Sequence, residues 1–109
     1  MKLNLGCGHR PFSKENKWIN VDFKNALADV EADVRDLPFK DDEAELITAY
    51  HIIEHFTREQ VQVLINEWNR VLKIGGMLDL EFPDFVAVLP SVVIAILIAT
   101  NGFSSRFSR

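Results

Sequence analysis

At 109 residues the chain has the length of one domain at most, and such a domain buries roughly two thirds of the surface that its unfolded chain exposes. Twelve Lys and Arg against sixteen Asp and Glu leave a net charge of −4 with no dense basic run, which argues against a phosphate-backbone footprint and against nucleic acid as a partner. The single cysteine, Cys7, excludes an internal disulfide and fits a reducing compartment, and the polar Met1-Lys2 start leads into a strand rather than a signal peptide, so the expected location is cytoplasmic.

The predicted elements alternate between strand and helix. A first strand over residues 2–5 runs into Gly6-Cys7-Gly8, and a second over residues 18–22 ends on Asp22. A strand that stops at two closely spaced glycines lets a ligand approach the backbone with no Cβ in the way. A carboxylate ending the neighbouring strand can then take a ribose diol. About nine residues, 9–17, separate the turn from the second strand, and Pro11 interrupts them, so the helix after the turn is short or absent. Pro11 also stands where a nicotinamide-dinucleotide loop wants a third small residue for close helix packing, which weakens that alternative. A third strand is expected over residues 30–34 and a fourth over 45–50.

One helix is predicted over residues 57–73. Thr57 and Gln60 have the spacing of a capping box, Val61, Leu64, Ile65, Trp68, Val71 and Leu72 form an apolar stripe, and Gly75-Gly76 are expected to terminate the helix. A fifth strand follows over residues 77–82. A helix between two apolar strands implies a right-handed crossover, so those strands lie parallel and their carboxyl ends open on the side of the glycine turn.

His51-Ile52-Ile53-Glu54-His55 fits the inverted zinc-peptidase pattern H-x-x-E-H, with Glu59, Glu67 or Glu81 as candidates for a third ligand. The competing reading has Glu54 and His55 hold a strand–helix junction by hydrogen bonds. Cys7 reads as a small buried residue. Asp22 can equally cap a turn, and Asp33 and Asp36 can be solvated carboxylates at a strand exit.

Residues 3–8, Asn20-Val21-Asp22, residues 32–39, residues 49–55 and residues 69–76 stand in the order found in class I S-adenosylmethionine-dependent methyltransferases, and the chain resembles a small member of that family over residues 2–84. The resemblance implies an α/β fold with a Rossmann-like, mostly parallel sheet of about five strands, truncated at its C-terminal end. It implies S-adenosylmethionine as cofactor, with Gly6 and Gly8 against the methionine part, Asp22 on the ribose, and Asp33 and Val34 flanking the adenine. Leu5, Cys7, Phe23 and Tyr50 complete the implied cofactor neighbourhood, and His51 lies near the methyl group as the candidate catalytic residue. Methyl transfer attacks a carbon that already carries a good leaving group, so positioning supplies much of the rate and a base is needed only for poorly acidic nucleophiles. Asn4 departs from the family, standing where many members carry an acidic residue. The acceptor is not identified by the sequence. The alternatives are a module that binds the cofactor, or only a partner chain, without turnover, and a zinc hydrolase built on His51, Glu54 and His55.

Residues 85–109 differ in character, carrying Arg106 and Arg109 and no acid, whereas residues 2–84 carry ten basic and sixteen acidic side chains. The expected division is a cofactor-binding domain over 1–84 and an apolar tail over 85–109. The tail is too short for a bilayer span, which takes about 20 residues. It is expected to cover an open edge or face of the sheet, or to pair with a second copy in a homodimer. A truncated or frame-shifted reading frame would also account for the abrupt change.

Overall fold

The structure is a computed structural model that describes residues 1–8, 11–12, 14–82 and 85–100. Six strands form one sheet: β1 Lys2–Leu5, β2 Trp18–Asp22, β3 Val30–Glu31, β4 Ala44–Tyr50, β5 Leu72–Phe82 and β6 Phe85–Pro90. Two helices, α1 Arg58–Val71 and α2 Ser91–Ala99, and two single-turn 3-10 segments, Lys14–Asn16 and Ile53–His55, complete the described elements. The strand order is β3-β2-β1-β4-β5-β6, with every pair parallel except β5 and β6. The order reverses between β1 and β4, and in open α/β sheets the crevice at that switch point is where ligands bind.

Period-2 alternation sorts the strands into two unlike faces. Leu3, Leu5, Val21, Ile47, Ala49, Leu78 and Leu80 point to the side covered by α1, whose Val61, Leu64, Ile65, Trp68 and Val71 are buried against them. Each fully buried aliphatic side chain contributes roughly 1.5–3 kcal/mol relative to exposure. The opposite face is polar in its middle. The side chain of Asn4 donates to Asn20 Oδ1 at 2.9 Å, and the Thr48 hydroxyl donates to Asn4 Oδ1 at 3.2 Å. All three residues are buried. Asn20 also accepts from the Phe12 amide at 2.7 Å and donates to the Phe12 carbonyl at 2.8 Å, which pins residues 11–12 over this face where a long helix is missing.

The helix begins as expected. Thr57 accepts from the Gln60 amide at 3.2 Å, and the Gln60 side chain accepts from the Thr57 amide at 2.9 Å, a complete capping box. Its end differs from expectation. The glycines do not terminate it: Leu72 is already extended and pairs with Ala44, so the chain passes from helix to strand with no intervening loop. Gly75 and Gly76 lie within β5, where the register with β4 jumps from Ala44–Leu72 to Leu46–Met77. Gly75 has φ +88°, and a Cβ at Gly76 would stand 2.9 Å from the Lys73 carbonyl oxygen, so the glycines serve a bulge. Leu72 leaves the helix early because its side chain is buried in the core.

Two further corrections follow. The third strand stops at Glu31 instead of residue 34, because the Asp33 side chain accepts from the Arg35 amide at 2.9 Å and turns the chain out of the sheet. The sheet has six strands, not about five, because the tail supplies an antiparallel β6 along the edge of β5 and then α2, with Ile94 buried in the core. Ser91 Oγ accepts from the Gly75 amide at 3.0 Å, tying the start of α2 to the bulge. Among the described residues no helix is long and apolar enough to cross a membrane.

The polar side of α1 fastens the segment after β3. Glu67 accepts from the Leu37 amide at 2.6 Å, the Trp68 indole donates to the Val34 carbonyl at 2.9 Å, and Arg70 donates to the carbonyls of Leu37 and Phe39. Arg70 also grips Glu67, with Nε 2.7 Å from Oε1 and a second nitrogen 2.8 Å from Oε2. That guanidinium, assisted by the Leu37 amide and opposed by burial, holds the Glu67 carboxyl below its ordinary value of 4.5.

Trp68 fills the centre of the core and also anchors Val34, so Trp68→Ala is expected to cost about 3–5 kcal/mol in denaturant unfolding. A carboxyl whose pKa is lowered by folding stabilises the fold above its ordinary value and ceases to do so as pH falls through the folded value. Stability should therefore decline below pH of about 4.5, and Glu67→Gln should flatten that decline. An identical acid slope in the variant would refute this.

Candidate active site

The site grows from the carboxyl ends of β1, β2 and β4. After Leu5 the amides of Gly6 and Cys7 both donate to the Val21 carbonyl, at 2.7 and 3.2 Å, which folds the turn back onto β2. Gly6 takes φ +63° and Gly8 φ +53°, and a Cβ at Gly6 would collide with Ile52 at 2.8 Å. The Gly8 amide donates to Asp22 Oδ2 at 3.1 Å. Asn25 Nδ2 then bridges the two, donating to the Gly8 carbonyl at 2.7 Å and to Asp22 Oδ2 at 2.9 Å. Asp22 Oδ1 accepts from the Phe23 amide at 2.8 Å. A carboxylate offers about four acceptor positions. The described residues use three on Asp22 and leave one on Oδ1.

A cavity of about 370 Å³ opens beside this turn, within the usual range of small-molecule sites. Gly6, Asp22, Phe23, Asp33, Val34 and His51 all line it, so six of the residues singled out in the sequence converge on one space. Phe23, 63% exposed, and Phe56 supply flat apolar surface at that wall. Both Asp33 oxygens are engaged by the Arg35 guanidinium, with the shortest contact 2.7 Å, and this fork holds the Asp33 carboxyl below its usual range. Arg35 in turn lies 5.9 Å from the centre of the Phe56 ring.

His51 follows β4 directly and has φ +58°, a left-handed conformation costly for a residue with a Cβ. Its amide donates to the Glu81 carbonyl. The backbone thus turns the His51 side chain out of the strand and into the mouth of the cavity, where it is 59% exposed. Glu54 Oε2 stands 3.7 Å from His51 Nδ1. The H-x-x-E-H pattern does not lie on one regular α-helix: the left-handed His51 breaks it, and Ile53–His55 form a single 3-10 turn. Among the described residues no three His, Cys, Asp or Glu side chains gather as metal ligands. His55 lines the cavity as well.

The remaining predicted residues take different places. Cys7 is buried, and burial, then the charge of Asp22, pushes its thiol up, so it is a small inert filler. Cys7 and Tyr50 line a second hollow that shares Gly6 and His51 with the first. The Tyr50 hydroxyl donates to Asp79 Oδ2 at 2.7 Å and is pushed up to about 12 by burial and by that carboxylate. Leu5 points its side chain into the core, and Gly8 spends its amide on Asp22. Asn25 was missed by sequence reasoning, although its place three residues after Asp22 marks it as a turn former. Phe56, Ile52 and Arg35 were missed because each reaches the cavity only through the folded loops.

These residues fit a nucleoside carrying a methionine-type chain. The cavity combines an apolar slot between Phe23, Val34 and Phe56 with an acceptor position on Asp22 Oδ1, beside the Gly6 backbone. The chemistry of that donor set accepts a diol and a flat heteroaromatic ring.

A family model described as a methyltransferase domain matches residues 3–80. No curated protein matches the chain. Among solved structures it is similar to the PH0226 protein of Pyrococcus horikoshii OT3, at 24% identity and TM-score 0.62 over 72% of this chain and 47% of that one. It is similar to a SAM-dependent methyltransferase of Archaeoglobus fulgidus, at 20% identity and TM-score 0.60 over 72% and 42%. A SAM-dependent methyltransferase of Methanosarcina mazei aligns at 15% identity and TM-score 0.60 over 92% and 77%. These likenesses show the fold, and the chain spans less than half the length of the first two proteins. The family match over most of the chain, on a sheet whose switch point gathers Gly6, Asp22 and His51, establishes that the chain belongs to the class I S-adenosylmethionine-dependent methyltransferases.

Proposed function

We propose that this chain binds S-adenosylmethionine at the carboxyl ends of β1, β2 and β4 and serves transfer of its methyl group to an acceptor that approaches past His51. The observation that carries this reading is the convergence of Asp22, Asp33, Val34 and His51 on one cavity at the switch point. Asp22 Oδ1 takes a ribose hydroxyl, and release of Asn25 from Oδ2 frees a position for the second. Phe23 and Val34 hold the adenine between them, with Asp33 kept ionised by Arg35 at its edge. Gly6 and Gly8 give the methionine part access to the backbone, flanked by Leu5 and Cys7, and Tyr50 closes the acceptor side. The cofactor supplies an electrophilic methyl carbon on a sulfonium leaving group. The protein's task is to orient the acceptor and exclude competing water, with His51 available to take a proton from a hydroxyl or protonated acceptor.

The reading places the cofactor-binding unit in residues 1–84, in the cytoplasm, supported by the unpaired Cys7 thiol. It also makes the chain a homodimer through its tail. Support comes from the edge: residues 85–100 contain no charged side chain, and Val86, Val88, Val92 and Ile96 are exposed on β6 and α2. An uncharged, exposed edge strand is a template for pairing with a second copy.

Titration calorimetry with S-adenosylhomocysteine is expected to show saturable binding, weakened roughly 10- to 100-fold in Asp22→Ala, as expected for loss of charged hydrogen bonds worth about 1.5–3 kcal/mol. Equal affinity in the variant would reject the assignment of Asp22. Light scattering on the eluted protein should give the mass of a dimer, converted to a monomer by Val88→Lys with the fold intact. A monomeric parent would reject the dimer.

A further inference from the structure

The sheet face opposite α1 carries a hollow of about 630 Å³, joined to the first cavity through Gly6 and His51 and extending from that junction to Phe12, Tyr50 and Glu81. A smaller hollow of about 370 Å³ shares Phe12 and Tyr50 and adds Trp18 and Asp79. Three aromatic rings stand in a row there. Phe12 meets Trp18 with centroids 4.8 Å apart and Tyr50 at 6.1 Å, both edge to face. Two hydrogen bonds between the Asn20 side chain and the Phe12 backbone, one donated by each, hold the row in place.

The charged side chains that line the two hollows, among the described residues, are acidic apart from His51. Asp79 accepts the Tyr50 hydroxyl, and the half-buried Glu81 carboxylate has no hydrogen-bond or ion-pair partner among the described residues. No Lys or Arg is among the described residues that line either hollow. At the far end of the row, Lys2 Nζ sits 5.7 Å from the Trp18 ring, so the aromatic surface already attracts one cation. A cation that enters beside the Glu81 carboxylate gains a charged hydrogen-bond acceptor.

We propose that the Phe12–Tyr50–Glu81 side of this hollow is the acceptor subsite and that it takes a small organic amine, held as its ammonium ion by the Glu81 carboxylate and the rings of Phe12 and Tyr50, with the Asp79 carboxylate adding its charge from the adjoining hollow. The assignment rests on the methyltransferase reading, because a ligand beside Gly6 and His51 meets a methyl donor only with the cofactor in the first cavity. Anionic acceptors are repelled by the same carboxylates, and neutral ones gain nothing from them. For transfer, the ammonium ion releases one proton through Glu81 to solvent. The freed nitrogen lone pair then forms the C–N bond as the C–S bond breaks and its electron pair leaves on sulfur. The product is an N-methylated ammonium ion and a neutral thioether.

The test uses the full chain, first titrated with S-adenosylhomocysteine and then, in the presence of that ligand, with choline and with neohexanol, its neutral isostere in which carbon replaces nitrogen. Choline is expected to bind at least about tenfold more tightly, ~1.4 kcal/mol. The paired substitution Glu81→Gln with Asp79→Asn should remove most of that preference and leave neohexanol binding unchanged, with circular dichroism to check the fold. Equal affinities for the two probes, or a preference that survives the double substitution, would overturn the proposal. If S-adenosylhomocysteine binds and choline shows no preference, the amine assignment alone falls. If choline keeps its preference and S-adenosylhomocysteine does not bind, the cation hollow stands and the cofactor reading falls.

Discussion

Parallel pairing of β1 with β4, with β2 on the other flank of β1, is the constraint on which the rest of the molecule depends. The chain must leave β1 toward one flank and β4 toward the other, because the strands that follow them lie on opposite sides. The two exits therefore diverge and open a crevice. The first residue after β1 is Gly6 and the first after β4 is His51, and both turn out of the sheet with positive φ. At Gly6 the absent Cβ makes room for Ile52 from the β4 exit, so the two loops interlock at the floor of the site. At His51 the same backbone sign on a residue with a side chain is strain, and its result is an imidazole presented to the cavity.

The unlike faces of the sheet divide the work. Packing of α1 on the apolar face, joined by Ile94 of α2, builds the core on that side. The polar face is held by amide and hydroxyl side chains that satisfy one another, Asn4 with Asn20 and Thr48, so that burial leaves them paired. Parallel sheets are ordinarily covered by helices on both faces. Here the segment around Phe12 performs that role over part of the face only, pinned by a side chain that imitates a backbone partner. Among the described residues, the hollow beside Tyr50 is the part of that face left open.

Helix α1 reaches the site without touching it. Its Trp68, Glu67 and Arg70 hold the carbonyls and amide of residues 34–39, so the position of Val34 in the cavity wall is set by contacts on the far side of the loop. The same helix therefore fills the core with its apolar stripe and fixes that wall. The tail acts in a similar way at the other end of the sheet, where Ser91 closes on the Gly75 bulge while β6 satisfies the β5 edge.

The amino-acid sequence by itself determined the elements whose signals are local and periodic. The stripe from Val61 to Val71, the Thr57–Gln60 box, the strand ending on Asp22 and the glycine turn were all legible, and so were Gly6, Asp22, Phe23, Asp33, Val34 and His51 among the residues that meet at the cavity. Tertiary structure decided what depends on distant partners. Leu72 abandoned the helix for a place beside Ala44, the glycines became a bulge, β3 ended early at the Asp33–Arg35 turn, and the tail became a strand and a helix. The three-ring row and the hollow beside it bring together residues from Phe12 to Glu81, and no spacing along the chain reports that proximity. Propensity and period act over a few residues, whereas pairing register, closure of a cavity and the partners of a buried carboxylate are set by burial between segments far apart in the chain.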